Sequence, residues 1–146
     1  MEFLENVRHF GIVVRNMEKS LYFYKDVLGF KIVREMDESG IHIDKMLSLN
    51  KVKVKTIKLS VDNGITLVEL LEFKSHRREI EERKFFDYGP SHLALTVNDL
   101  DGCFKELKKK GIEFNSEPQL SPDGYAKVVF CLDPDGMPIE LVEVLK

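Results

Sequence analysis

A chain of 146 residues that is 43% hydrophobic and 32% charged is sized for one globular domain with a buried core. Its 22 Lys and Arg against 25 Asp and Glu give a formal charge of −3, with the basic residues spread along the chain, which argues against nucleic-acid binding. No stretch approaches the roughly 20 apolar residues that cross a bilayer, and the opening MEFLENVRHF lacks a basic region followed by a long apolar run, so a cytoplasmic protein without membrane association is expected.

In chain order, residues 4–14 carry an apolar, β-branched run that reads as a strand. Asn16 then opens a helix with Met17, Leu21, Tyr24 and Leu28 at helical spacing, and Gly29 stops it. KIVRE follows as a short strand, the chain turns polar through Glu38, Ser39 and Gly40, and a short apolar stretch spans residues 43–49. VKVKTIKLSV alternates strictly, the clearest period-two pattern in the chain. A turn at Asp62, Asn63 and Gly64 leads into the strand ITLVELLEF.

Residues 75–89 are densely charged and then aromatic. They read as a linker, in which Glu79 and Arg83 could support a short exposed helix and Phe85, Phe86 and Tyr88 could pack on a core or line a cavity. SHLALTV is then a strand, and Asp99 caps a helix whose Leu100, Cys103, Phe104 and Leu107 share a face. Gly111 ends that helix, and IEF is a short strand. After a loop over 118–124, YAKVVFCL is a strand, Asp133-Pro134-Asp135-Gly136 suits a type I turn, and PIELVEV closes the chain. The two cysteines, Cys103 and Cys131, lack CxxC spacing and are expected to be reduced packing residues.

The order β-α-β-β-β thus occurs twice. RHFGIVVRNMEKSLYFYKDVLGFKI lies over SHLALTVNDLDGCFKELKKKGIEF, and TLVELLEF over PIELVEV. The expected organisation is one domain, 1–146, built from a βαβββ module over 1–74, a linker over 75–89 and a second βαβββ module over 90–146.

Laying the copies in register brings four polar residues to equivalent places: His9 with His92 at the start of the first strand, and Glu69 with Glu140 inside the last. Strand parity puts Ile65, Leu67, Glu69, Leu71 and Phe73 on one face, where Glu69 alone interrupts an apolar row. Glu140 shares its face with Val142 and Val144, whereas Glu143 points the other way and reads as the solvated glutamate. Taken singly, each histidine fits a surface or hydrogen-bonded residue, and each glutamate an edge or wet-face one. Their coincidence at duplicated positions points instead to a shared partner, because an isolated carboxylate on an apolar face is costly. No Lys or Arg matches in both copies, whereas a divalent metal would suit imidazole and carboxylate together and leave coordination positions open for substrate. His42 and His76 have no counterparts and read as surface residues.

HFGIVVRNMEKSLYFYKDVLGF, GPSHLALTVNDLD and DPDGMPIELVEV resemble the vicinal oxygen chelate superfamily, which includes glyoxalase I, methylmalonyl-CoA epimerase, extradiol dioxygenases and the fosfomycin and bleomycin resistance proteins. The resemblance implies an α+β fold of two tandem βαβββ modules, their mixed sheets curled into a cup with helices outside. It implies His9, Glu69, His92 and Glu140 as ligands of one divalent ion (Ni, Co, Zn, Mn or Fe), with no organic cofactor. The full His, Glu, His, Glu set is most similar to bacterial glyoxalase I. The resemblance therefore implies a metal-dependent lyase or isomerase in which two vicinal oxygens of a small substrate, or of its enediolate, meet the metal. Glu69 or Glu140, with Glu140 preferred, would move the proton.

The glutathione hemithioacetal of methylglyoxal would be one such substrate, with glutathione as cosubstrate and Arg15, Arg34 and Lys127 as candidates to hold its carboxylates. Alternatives on the same scaffold are an acyl-CoA epimerase, a ring-cleaving dioxygenase using His9, His92 and Glu140 with iron, and a non-catalytic small-molecule binding or resistance protein. Family members generally dimerise, so a homodimer is expected. The stretch SGIHIDKMLSL lacks a glyoxalase counterpart and falls where relatives shape their substrate cavity.

Overall fold

The computed structural model describes residues 3–61 and 64–145. The chain divides into two compact units, Met1–Glu79 and Ile80–Lys146, each built on a four-stranded mixed sheet.

In the first unit, β1 (His9–Val13) runs parallel to β4 (Leu67–Phe73), which pairs antiparallel with β3 (Lys53–Ser60), and β3 pairs with the edge strand β2 (Lys31–Ser39). Alternation along these strands sorts two faces. One presents Ile12, Ile57, Leu59, Val68 and Leu70, all buried, as are Met17, Phe23, Tyr24, Val27 and Phe30 of the helical segment. The other carries His9, Glu69 and Lys58, with Thr56, Leu71, Val54 and Phe73 further along.

The helix begins as expected: Asn16 is extended and its side chain accepts from the Lys19 N–H at 2.9 Å. After α1 (Met17–Leu21) the chain widens into a π-helical stretch, Tyr22–Val27, which alternation alone does not reveal. Gly29 ends it at φ +83°, a left-handed conformation that glycine adopts without strain. Tyr24, with no exposed surface, meets Phe23 and Phe30 edge-on at centroid distances of 5.1 and 6.0 Å.

Two elements of this unit differ from expectation. β2 runs nine residues, well beyond KIVRE, because β3 pairs with its polar end as far as Ser39. The stretch after Gly40 is a helix, α2 (Ile41–Leu47). Asp44 anchors it by accepting from the Lys51 and Val52 N–H groups, each at 2.8 Å. Ile43 packs with Val52, Val54, Leu71 and Phe73, so α2 covers one end of the face that carries Glu69. Asp62 and Asn63 of the expected turn lie outside the described residues.

The second unit repeats the plan with strand order β5-β8-β7-β6: β5 (Leu93–Thr96), β6 (Gln119–Leu120), β7 (Ala126–Leu132) and β8 (Pro138–Val144). Its helix α3 (Leu100–Lys109) buries Leu100, Phe104 and Leu107, and Val129, Cys131, Ile139 and Leu141 are buried on the sheet. The Asp99 carboxylate accepts from the Gly102 N–H at 2.9 Å. Glu143 is not simply solvated: it accepts from the Leu100 N–H at 2.9 Å, so two carboxylates serve one helix N-terminus. Asp99→Ala is expected to cost about 1 kcal/mol, and urea denaturation with a midpoint unchanged from the parent would contradict the cap.

IEF does not form a strand. Phe114 makes one isolated bridge to Cys131, and the edge strand forms later, at Gln119–Leu120, inside the expected loop. Residues 77–84 adopt no helix, and Glu79 pairs with Arg15 at 3.0 Å rather than with Arg83. The Asp133 turn is as expected, with the Gly136 N–H donating to Asp133 O at 3.0 Å.

Candidate functional site

The first unit places His9 and Glu69 on adjacent parallel strands. His9 stands opposite Leu67 and Gly11 opposite Glu69, so the histidine and the glutamate are diagonal neighbours two residues apart in register. His9 Nε2 lies 3.1 Å from Glu69 Oε2. Gly11 lies between them in the register; a Cβ there would press on Leu71 Cδ1 at 3.3 Å.

The second unit repeats this arrangement. Leu93 stands opposite Ile139 and Ala94 opposite Glu140, which gives His92 and Glu140 the same two-residue offset beside another small residue. His92 Nε2 lies 3.1 Å from Glu140 Oε2. The four residues selected from the sequence are thus brought together as two equivalent His–Glu pairs, one per unit. Among the described residues, neither unit gathers three or more His, Cys, Asp or Glu side chains into one cluster.

The donor set fits a metal. Ligands about 2.0–2.2 Å from an ion and set at roughly a right angle stand about 3 Å apart, the separation that each pair already has. A ligating histidine is normally held through its second nitrogen, and Ser91 Oγ lies 2.7 Å from His92 Nδ1. His9 Nδ1, by contrast, is buried without a partner among the described residues.

The pairs differ in their neighbours. Lys58, opposite Glu69 on β3, brings its ammonium to 3.2 Å from Glu69 Oε1, so both carboxylate oxygens of Glu69 are engaged. Its counterpart opposite Glu140 is Phe130. The Phe130 ring meets His92 edge-on at 5.4 Å, Phe85 stacks on the imidazole at 5.7 Å and 10°, and the two phenyl rings meet each other edge-on at 5.4 Å. Of the linker aromatics, Phe85, itself about half exposed, therefore joins this site, whereas Phe86 and Tyr88 are almost fully exposed.

Sequence reasoning missed Lys58, Phe130 and Ser91 as neighbours of the pairs, and singled out Phe85 only as one of three aromatics that could line a cavity. The alternation in VKVKTIKLSV gives Lys58 a face, but only the pairing register puts it opposite Glu69. Of the three cations nominated to hold a substrate carboxylate, Arg15 pairs with Glu79 and Lys127 with Asp101 at 2.7 Å. Arg34 stands beside Lys58 on the site face. His42 and His76 are exposed, as expected.

The family model described as Glyoxalase/Bleomycin resistance protein/Dioxygenase superfamily matches residues 6–141. The chain belongs to that superfamily. Relatives include YwkD of Bacillus subtilis (strain 168), described as uncharacterized, at 33% identity over 145 residues, 96% of this chain and 98% of that one. A 2-epi-5-epi-valiolone epimerase of Actinomyces sp is 23% identical over 144 residues, covering 94% of this chain and 79% of its own length. A lactoylglutathione lyase of Neisseria meningitidis is 27% identical over 137 residues, covering 92% and 88%. The crystal structure of a glyoxalase family protein from Bacillus cereus superposes with a TM-score of 0.86 at 20% identity, over 100% of this chain and 99% of that one. The superfamily fold is therefore the α+β arrangement of paired βαβββ units expected from the sequence. No helix among the described residues is long and apolar enough to cross a membrane.

Proposed function

We propose that this protein is a metal-dependent lyase or isomerase of glyoxalase type, in which His9, Glu69, His92 and Glu140 hold one divalent ion of the Ni, Co, Zn, Mn or Fe group. The four ligands would come from one chain or be shared between two copies in a homodimer. One observation carries the reading: the same His–Glu pair, at the same register offset and the same 3.1 Å, occurs in both units. A structural ion pair has no reason to be kept twice in this form, whereas one ion needs several ligands.

When bound, the metal would supply Lewis-acid polarisation of two adjacent substrate oxygens. The chain's own residues do the rest. Glu69 is 12% exposed at its side chain and held on both oxygens, which makes it a fixed group. Glu140 is 20% exposed and pairs with His92 through Oε2, which among the described residues leaves its other oxygen available to take a proton from a substrate carbon and return it to the neighbouring carbon. His92 is kept in place by Phe85, Phe130 and Ser91.

The relative named a lyase and the relative named an epimerase both support a proton-transfer class. The test combines metal analysis of the untreated protein with turnover of the methylglyoxal–glutathione hemithioacetal after loading with nickel, cobalt or zinc. Bound metal and turnover are expected. Bound metal without turnover across that panel would reject this substrate, and absence of metal affinity would reject the reading as a whole.

A further inference from the structure

The line of residues that contains Glu69 continues across the first unit's sheet. Gly11, Glu69, Lys58 and Arg34 stand side by side on β1, β4, β3 and β2. Adjacent strands are about 4.8 Å apart, so the two cations sit one and two strand spacings from the glutamate. The Lys58 side chain is 22% exposed and reaches Glu69 at 3.2 Å. Arg34 is exposed, and among the described residues no carboxylate pairs with it. The corresponding line in the second unit, Ala94, Glu140 and Phe130, holds no cation. Beyond Lys58 the face carries Thr56, whose hydroxyl donates to Glu38 at 3.2 Å, and alongside it Ile43 of α2 packs against Leu71, Val54 and Phe73.

This pattern bears on the substrate. If Glu69 serves a metal while Lys58 holds its other oxygen, one carboxylate charge is shared between two cations, and the half-buried Lys58 ammonium is left short of anionic charge, which is costly away from water. We propose that the substrate carries an anionic oxygen group, a carboxylate or a phosphonate, immediately beside its two chelating oxygens, and that Lys58 and Arg34 select it. The inference rests on the metal reading above and narrows it. A charge one strand spacing from Glu69 belongs to the reacting end of the molecule rather than to a distant tail, and the Ile43 wall favours a compact acid. Arg34 adds a planar fork suited to two oxygens of one group.

The experiment uses three chelators that share a hydroxamate: acetohydroxamate, which has no added charge, malonic monohydroxamate with a carboxylate, and phosphonoacetohydroxamate with a phosphonate. Each is titrated calorimetrically into the cobalt-loaded protein, the Lys58→Met variant and the Arg34→Gln variant, after cobalt content is measured. At least one anionic probe is expected to bind about tenfold or more tighter than acetohydroxamate to the parent protein, the scale of a charge-assisted contact. The identity of that probe distinguishes carboxylate from phosphonate. The advantage should fall to about threefold or less in Lys58→Met and weaken in Arg34→Gln; acetohydroxamate affinity and cobalt content should stay unchanged in Arg34→Gln, and in Lys58→Met the ratio to acetohydroxamate on the same cobalt-loaded variant corrects for any loss of metal through the Lys58–Glu69 contact.

Equal binding of all three probes by the parent, or a preference that survives both substitutions, would overturn the proposal. Failure to bind cobalt would reject the functional reading separately. In that case the two anions are followed on cobalt-free protein through amide shifts along β2 and β3. Shifts that are lost in Arg34→Gln support the anion site, and no shifts overturn it. Arg34 is an exposed edge-strand residue, so its variant remains informative even if Lys58→Met fails to fold.

Discussion

Glu140→Gln is expected to lower turnover by about 10²–10⁴-fold, the contribution of a positioned proton-transfer group. Glutamine keeps the shape and one oxygen of the side chain but cannot accept the proton. Glu69→Gln is expected to be milder, because the structure holds Glu69 from both sides through His9 and Lys58 and leaves it little freedom to move. Steady-state turnover and exchange of the substrate proton with solvent deuterium read the two variants independently. If Glu140→Gln retained more than about a tenth of the activity while Glu69→Gln lost all exchange, the assignment of the moving carboxylate would be reversed. The contrast tests the asymmetry between the pairs rather than their mere presence.

The largest effect on stability is expected at Tyr24. Its side chain has no exposed surface and is held edge-on between Phe23 and Phe30. Tyr24→Ala removes an aromatic ring from a close-packed interior and leaves a cavity that the rigid sheet beneath cannot close, at a cost of about 3–5 kcal/mol. That is a large part of the roughly 5–15 kcal/mol that stabilises a typical domain. Tyr24→Phe keeps the ring and should lose much less. Urea denaturation of both variants decides the matter; a Tyr24→Ala loss below about 1 kcal/mol would mean that the site collapses or was never tightly packed.

The duplication was legible in the sequence because turn residues, caps and alternation recur in the same order, and these are local signals. Asn16 and Asp99 cap as their types dictate, and Gly29 and Gly111 end their helices at positive φ. The equivalence of His9 with His92 and of Glu69 with Glu140 was legible for the same reason, since register within each copy is set by strands with one clearly apolar face; that each histidine pairs with the glutamate of its own copy was not. The polar half of β2 was not. Residues 36–39 carry no strand periodicity, and they are extended because β3 offers them a partner.

α2 escaped notice because Gly40 precedes it at φ +95° without a side-chain cap, and its anchor, Asp44, acts on Lys51 and Val52 rather than on its own first turn. IEF has the composition of a strand, yet its chain touches β7 only at Phe114 before pairing resumes at Gln119. The Glu79 and Arg83 spacing was too weak a signal, worth about 0.2–0.5 kcal/mol in a helix, to outweigh the contact that Glu79 makes with Arg15. Lys58 illustrates the general difficulty: its charge, face and strand are all visible in the sequence, but its partner depends on which residue of another strand lands opposite.

The π-helical stretch bears on how the two copies diverged. From the cap Asn16 to the terminating Gly29 the first copy advances 13 positions (29 − 16), and from Asp99 to Gly111 the second advances 12 (111 − 99). In an α-helix, one added residue would rotate everything after it by about 100° and turn its buried side chains toward water. The wider winding over Tyr22–Val27 absorbs that residue locally. Val27 and Phe30 still reach the interior, and the strand that follows still enters the sheet. The stretch thus lets the two copies differ by one residue between cap and terminating glycine while His9 and Glu69 keep the same strand offset as His92 and Glu140.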